Sequence, residues 1–379
     1  MRLFYLILAF ALFSCSGSDE GSNPEPQPNP FQLSDYLNLN WSNLPEYVNI
    51  SYPVHYSGPV LQNVNVPLSN PITNKGASLG RVLFYDTKLS INNTISCASC
   101  HNQSSGFTDS AIVSTGVNGT TPAHSMRLLN SVFYTGNSMF WDKRAPSLEI
   151  QTTMPIKDHI EMGFSSANGG MTTLLNKMNQ IPYYPYLFNE VFGTPDITED
   201  RIQKALAQFI RSMISTHSKF DSAYAEVFSP QAPNGGIGAP FPQFTPNENA
   251  GKSLFLLPKP QGLGCAGCHI PPTFALAANS LSNGLDANET RIFKSPSLKN
   301  SAVGPYMHDG RFASLDEVIE HYNSGILNGP ALDNRLKGPN NTVQQLNMTP
   351  LQKQQLRAFL ETLTDAVITQ DPKFSNPHL

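Results

Sequence analysis

Apolar residues recur along this chain mostly with the 3.6-residue period of helices that face a core, and seldom with the two-residue alternation of strands. Ile202, Ala205, Leu206, Phe209, Ile210 and Met213 form one such stripe, which predicts a long helix closing the first half. Thr245-Pro-Asn-Glu248 reads as an N-cap, a proline in the first helical position and a capping-box acid, and it leads into Ala250, Leu254 and Phe255. Thr349-Pro350 opens a last helix whose Leu356, Phe359, Leu360 and Leu363 share one side. The expected fold class is therefore mainly α.

The pattern changes before about residue 60. Met1 and Arg2, followed by the apolar run Leu3 to Phe13, have the charged start and short hydrophobic stretch of an export signal, too short to span a bilayer comfortably. Leu12-Phe13-Ser14-Cys15 has the form of a lipid-attachment site, so residues 1–15 are expected to be a lipoprotein signal with Cys15 as the lipid-bearing mature terminus. Ser16 to Pro30 is a polar, proline-rich tether, and Pro45, Pro53, Pro59 and Pro67 interrupt regular structure in the lead-in. The expected location is the periplasmic side of the cell envelope, with membrane contact through the lipid alone; Asp19 and Glu20 are compatible with outer-membrane or surface display.

Beyond residue 60 the chain repeats itself at an offset of 167 to 171 residues. Gly80-Arg-Val-Leu-Phe84 returns as Gly251-Lys-Ser-Leu-Phe255, and Leu129-Asn130-Ser131 as Lys299-Asn300-Ser301. Trp141-Asp-Lys-Arg-Ala-Pro-Ser-Leu148 returns as His308-Asp-Gly-Arg-Phe-Ala-Ser-Leu315. The glycine- and proline-rich stretch Pro230 to Pro242 falls between the copies. These matches predict two cytochrome c-like haem domains related by internal duplication, over residues 61–236 and 237–371, after a tether and lead-in over 16–60.

The cysteines say what the repeated unit binds. Apart from Cys15 there are four, in Cys97-Ala-Ser-Cys100-His101 and Cys265-Ala-Gly-Cys268-His269. Two thiols spaced in this way add to the vinyl groups of a porphyrin while the adjoining histidine ligates its iron, so two covalently bound haem c groups are expected, with His101 and His269 as iron ligands. Zinc and structural disulfides are the alternatives, but zinc requires four ligands to converge from both halves, and both cysteine pairs are followed at once by histidine. At 379 residues, 40% hydrophobic and with a formal charge of -4, the chain can bury two cores and carries no basic footprint for nucleic acid.

With Leu79-Gly-Arg-Val-Leu-Phe-Tyr-Asp86, Phe140-Trp-Asp-Lys-Arg144, Glu161-Met162 and Tyr306-Met-His-Asp-Gly310 added to the two haem motifs, the chain resembles the bacterial di-haem cytochrome c peroxidase family, which includes MauG. The match runs from about Leu68 to Thr364. The resemblance implies that the N-terminal haem is peroxidatic and the C-terminal one passes electrons to it. It places Glu161 as acid-base residue, Trp141 between the haems and Gln151 over the first haem, against the plainer roles of surface glutamate, core tryptophan and surface amide. Tyr322 falls where family peroxidases carry the second ligand of the C-terminal iron and MauG-like members carry tyrosine. His321, Met307 and Met348 are rival ligands, and a core tyrosine is the plainer role. Pro155, the repeat-equivalent of Tyr322, has no donor atom, and Val117 stands where a closing histidine is common, so the first haem should keep an open face. The family's interdomain calcium is doubtful here, because His124 replaces an asparagine ligand and leaves backbone carbonyls such as those of Val303 and Pro305.

The expected activity is reduction of hydrogen peroxide to water with electrons from a small periplasmic cytochrome or copper protein. One alternative is a MauG-like oxidase acting on a protein or organic substrate through a high-valent di-haem state; another is a non-catalytic di-haem electron carrier.

Overall fold

The expected helices form where the stripes and caps place them. A computed structural model describes residues 31–136 and 138–379, so the signal, Cys15 and the tether to Pro30 lie outside the described residues. In chain order the helices are α1 (Pro59–Gln62), α2 (Asn74–Tyr85), α3 (Cys97–Cys100), α4 (Leu148–Lys157), α5 (Gly170–Asn179), α6 (Tyr183–Phe192), α7 (Glu199–Arg211), α8 (Lys219–Val227), α9 (Pro246–Leu256), α10 (Leu315–Glu320) and α11 (Pro350–Glu361). Strand structure among the described residues comprises two antiparallel pairs, β1 (Thr115–Gly116) with β2 (Gly119–Thr120) and β3 (His269–Ile270) with β4 (Ala275–Leu276). The fold is mainly helical.

Thr198 caps α7 by accepting from the Arg201 amide, and the stripe from Ile202 to Met213 is buried. Thr245 with Glu248 and Thr349 with Gln352 form the capping boxes that start α9 and α11. Helix α2 packs across α7, and α9 across α11, by the same device. A methyl group at Gly80 would overlap the Ala205 carbonyl and lie 2.7 Å from Phe209 Cβ; at Gly251 it would overlap the Gln355 carbonyl and lie 2.9 Å from Phe359 Cβ. Only glycine lets each pair approach this closely. The repeat extends to the backbone: Asn130 and Asn300 both take left-handed conformations, and their side-chain oxygens accept from the Ser215 and Asp365 amides at 2.8 Å each.

Among the described residues the apolar side chains gather into two large cores and one small cluster. The first gathers Leu79, Val82, Phe84, Leu206 and Phe209; the second is largely aromatic, with Phe220 4.9 Å from Phe274 and Phe255 5.2 Å from Phe359 between ring centres. The second core is fastened to the chain around it by Asp221, which pairs with Lys299 at 2.5 Å and accepts from or faces His55 at 3.4 Å.

Two boundaries differ from expectation. Residues 36–58 are irregular, although Pro59, expected to interrupt regular structure, opens α1, and the segment does not precede the folded body: Leu33–Leu379 is one compact unit in which Leu37, Tyr47 and Tyr56 are buried. The physical reason is apolar area: Leu37 and Tyr47 join the first core, and Tyr56 packs with Val132, Phe133 and Ala275 in a smaller cluster. The last residues also return to that core. Phe374 is buried in it, Tyr85 donates to the Phe374 carbonyl at 2.6 Å, and the Arg81 guanidinium donates to the Ser375 carbonyl at 2.6 Å.

Candidate functional site: two cysteine-histidine cavities

Cys97 and Cys100 face one way because the single turn α3 is set by Ser96 and Ser99 in a capping box, and His101 leaves the helix as its C-cap. The His101 Nδ1 lies 3.2 Å from the Phe107 carbonyl, so that nitrogen is the donor and Nε2 remains for a metal. Burial pushes the His101 imidazole down to about 4 and the Cys97 thiol up to about 12, which leaves a neutral ring and a protonated thiol.

In the second half Cys265 opens a short turn and His269 begins β3. Burial also pushes His269 down to about 4 and Cys265 up to about 12. His269 Nδ1 is buried without a hydrogen-bond partner. The cavity around these residues measures about 650 Å³, within the usual range for a cofactor site. The first cavity measures about 70 Å³, so the fit there rests on the donor set rather than on volume. Each pair has its own histidine and its own cavity, and the cysteines are unbridged. Two thiols beside a neutral imidazole suit covalently held haem in each half, whereas zinc shared between the halves has no common site among the described residues.

The wall of the first cavity contains Gln151, Pro155, Glu161 and Met162. Glu161 reaches it on a clamped loop: its amide donates to Asp158 Oδ1 at 3.0 Å, and its carbonyl accepts from the Val117 amide at 3.0 Å. Gly116 permits that clamp, because a methyl there would overlap the Ile160 carbonyl. Val117 thus sits on the turn of β1–β2, braced against the Glu161 loop. Burial, then the Asp158 carboxylate, push the Glu161 carboxyl up to about 7, while Arg144 opposes them.

Tyr322 lines the second cavity, the same distance past the N-cap Ser314 as Pro155 is past Ser147. There α10 gives way to one π-helical turn, His321–Gly325, a local geometry that recurs at functional sites. Burial pushes the Tyr322 phenol up to about 12, with Asn283 opposing. Met307 and Met348 share this cavity, whereas His321 Nε2 lies 3.1 Å from the Asn283 carbonyl and is not among the lining residues. The expectation that His321 is a rival ligand therefore loses its support.

Trp141 belongs to the wall of the second cavity rather than the first, and its Nε1 donates to the His124 carbonyl at 2.8 Å. His124 Nε2 lies 3.1 Å from Thr108 Oγ1, and Thr108, His124 and Trp141 all line the second cavity and none of them the first. The same residues do not suit calcium. His124 Nδ1 faces the Ala111 and Ile112 carbonyls at 3.1 Å, and Arg127 directs its guanidinium to the Val303 carbonyl at 2.8 Å. A fixed positive charge on that oxygen repels a divalent cation.

The buried cations Lys294 and Arg127 in the second cavity's wall carried no periodic or motif signal; both sit in irregular segments. A lone cation in such a segment reads as a surface residue until the tertiary structure buries it.

Comparison with known proteins converges on one family. The family model described as di-haem cytochrome c peroxidase matches residues 74–227. The methylamine utilization protein MauG of Methylorubrum extorquens is 32% identical over 320 residues, covering 80% of this chain and 82% of that protein. The cytochrome c551 peroxidase of Nitrosomonas europaea is 32% identical over 263 residues, 64% of this chain and 71% of that one. A solved MauG-like protein associated with microbial copper homeostasis is 30% identical, with a TM-score of 0.66 over 89% of this chain and 99% of its own.

Proposed function

We propose, from the premise that this chain belongs to the di-haem cytochrome c peroxidase and MauG family of oxidoreductases, that it reduces hydrogen peroxide to water with electrons from a small periplasmic cytochrome or copper protein. The observation that carries the reading is the contrast between equivalent positions. The cavity beside His101 has Pro155 and an acid-base carboxylate, Glu161, while the cavity beside His269 has Tyr322.

Haem held by Cys97 and Cys100 would supply an iron that exchanges electrons with peroxide. Glu161 handles the protons. At neutral pH its carboxyl is divided between the two protonation states, as a group that both accepts and donates should be. As carboxylate, Glu161 takes the proton from one peroxide oxygen; as acid, it returns that proton to the other, which leaves as water. The balance is H2O2 + 2 H+ + 2 e- giving 2 H2O. The Gln151 amide lines the same cavity and can hold peroxide by hydrogen bonds. Trp141, in the second cavity's wall and bonded to His124, supplies an aromatic step for electrons between the halves. The test is a steady-state assay of fully haem-loaded protein with a reduced small cytochrome. Absence of peroxide consumption with every reductant tried would falsify the reading.

Tyr322 favours a second reading, a MauG-like oxidase that withdraws electrons from a protein or organic substrate. Phenolate is a hard anionic donor that favours higher oxidation states and lowers the potential, a poor match to a high-potential electron donor. Stoichiometric peroxide without reductant separates the two: an oxidised state lasting minutes supports the oxidase, and rapid decay supports the peroxidase. We place either enzyme on the periplasmic side of the envelope, anchored through Cys15. Among the described residues no helix is long and apolar enough to cross a membrane. Release of the protein from membranes on Cys15→Ala substitution tests the anchor.

A further inference from the structure

Two buried cations in the wall of the second cavity have no carboxylate partner among the described residues. Lys294 is 5% exposed, its ammonium donates to the Met126 sulfur at 3.3 Å, and it lies 4.9 Å from the centre of the Tyr134 ring. Arg127 is 8% exposed, spends one donor on the Val303 carbonyl at 2.8 Å, and leaves its Nε buried with no partner. Other buried cations of the chain are satisfied by an acid or by several oxygens: Lys299 pairs with Asp221 at 2.5 Å and Arg211 with Glu149 at 2.5 Å, Lys252 donates to the Ile237 and Ala239 carbonyls, and Arg81 donates to the Ser375 carbonyl and hydroxyl. Isolated buried charge is strongly disfavoured, so a wall that keeps two such cations is built to face an anion. Desolvation pushes Lys294 down to about 8 and Arg127 down to about 10, as expected of cations that lack an anionic neighbour.

Their placement says which anion. Both line the cavity that holds Cys265, Cys268 and His269. Both belong to its end nearest the first half: the Lys294 amide donates to the Trp141 carbonyl at 2.7 Å, and Arg127 follows closely on His124, whose carbonyl accepts from Trp141. By contrast the acid in this wall, Asp333, is already neutralised by Arg335 at 2.7 Å. Haem carries two propionate carboxylates and no other charged substituents. We infer that Lys294 and Arg127 are the counter-ions of the propionates of the haem held by Cys265 and Cys268. They fix the acidic edge of that haem against Trp141 and raise its reduction potential by placing positive charge beside it.

The inference rests on haem occupying the second cavity, so haem content is counted first by the pyridine haemochrome assay. One haem per chain, or none, refutes that underlying reading. With two haems per chain, spectroelectrochemical titration of Lys294→Met and Arg127→Gln decides the inference itself. Each substitution is expected to lower the equilibrium constant for reducing the second haem at least tenfold, 59 mV for a one-electron centre. The first haem should be unmoved, and Lys294→Arg should restore the second. An unchanged second-haem potential in both neutral variants, even with lower melting temperatures, shows purely structural cations and overturns the inference. Should neither variant mature, resonance Raman of the wild-type holoprotein decides: propionate bending bands of the second haem at the position of strongly hydrogen-bonded carboxylates support it, and bands at the solvent-exposed position overturn it.

Discussion

Replacing Glu161 by glutamine removes the one carboxyl in the first cavity's wall while keeping its shape and its clamped loop. Burial moves that carboxyl from the ordinary 4.5 to about 7. At 1.36 kcal/mol per pH unit, ionising it in place costs about 3 kcal/mol more than in water. Loss of a positioned acid-base group lowers rates by about 10² to 10⁴, so kcat/KM for peroxide should fall by that factor in Glu161→Gln, and the limb of the wild-type pH profile near 7 should vanish. Stability supplies a second readout. Between 4.5 and about 7 the folded chain holds a proton that the unfolded chain has released, so the stabilisation is full below that window and is lost as pH rises through it. Urea titrations from about pH 4 to about pH 8 should therefore show a downward slope in wild type that the variant lacks, worth up to about 3 kcal/mol. Parallel stability curves together with an unchanged pH-rate profile would refute both the buried carboxyl and its catalytic role.

Other expectations follow from the same geometry. Gly251→Ala forces a methyl into the Gln355 carbonyl and should cost about 3 kcal/mol or more of stability, read by calorimetry; a cost near zero would mean that α9 and α11 can part freely. Lys299→Met leaves the buried Asp221 without its closest cation, with His55 at 3.4 Å and the Ser218 donors remaining, and should cost about 3 kcal/mol in urea unfolding. Asp221 itself, held down to about 2 against an ordinary 3.8 chiefly by Lys299 despite burial, contributes stability present above that ordinary value and lost as pH falls towards 2. Tyr322→Phe should change the second centre's resting electron paramagnetic resonance signal and leave the first centre's unchanged; identical spectra would make Tyr322 a packing residue. Gly116→Ala should displace the Glu161 loop and lower kcat without loss of haem, which heme-stained gels and steady-state rates together check.

The elements legible in the sequence were those whose cause is local. The α7 stripe needs only periodicity, the starts of α9 and α11 need only a capping residue and its partner three positions on, and the two haem motifs need only adjacent residues. Glu161 and Tyr322 were visible through a family resemblance and an internal repeat, and no local signal shows where they point. The π-helical turn that carries Tyr322 left no trace, because it depends on what the helix meets at its end.

By itself, then, the sequence determined a helical protein made of two related halves, each with a pair of thiols and a histidine. Periodicity, capping and covalent chemistry act over a few residues and survive in one dimension. The tertiary structure alone decided that the last residues, through Phe374, close the first core, that Trp141 lines the second cavity, and that Lys294 and Arg127 are buried without a counter-charge. Such facts depend on burial and on contacts between residues far apart in the chain, and desolvation, which converts an ordinary lysine or glutamate into a perturbed one, exists only once the chain has folded around it.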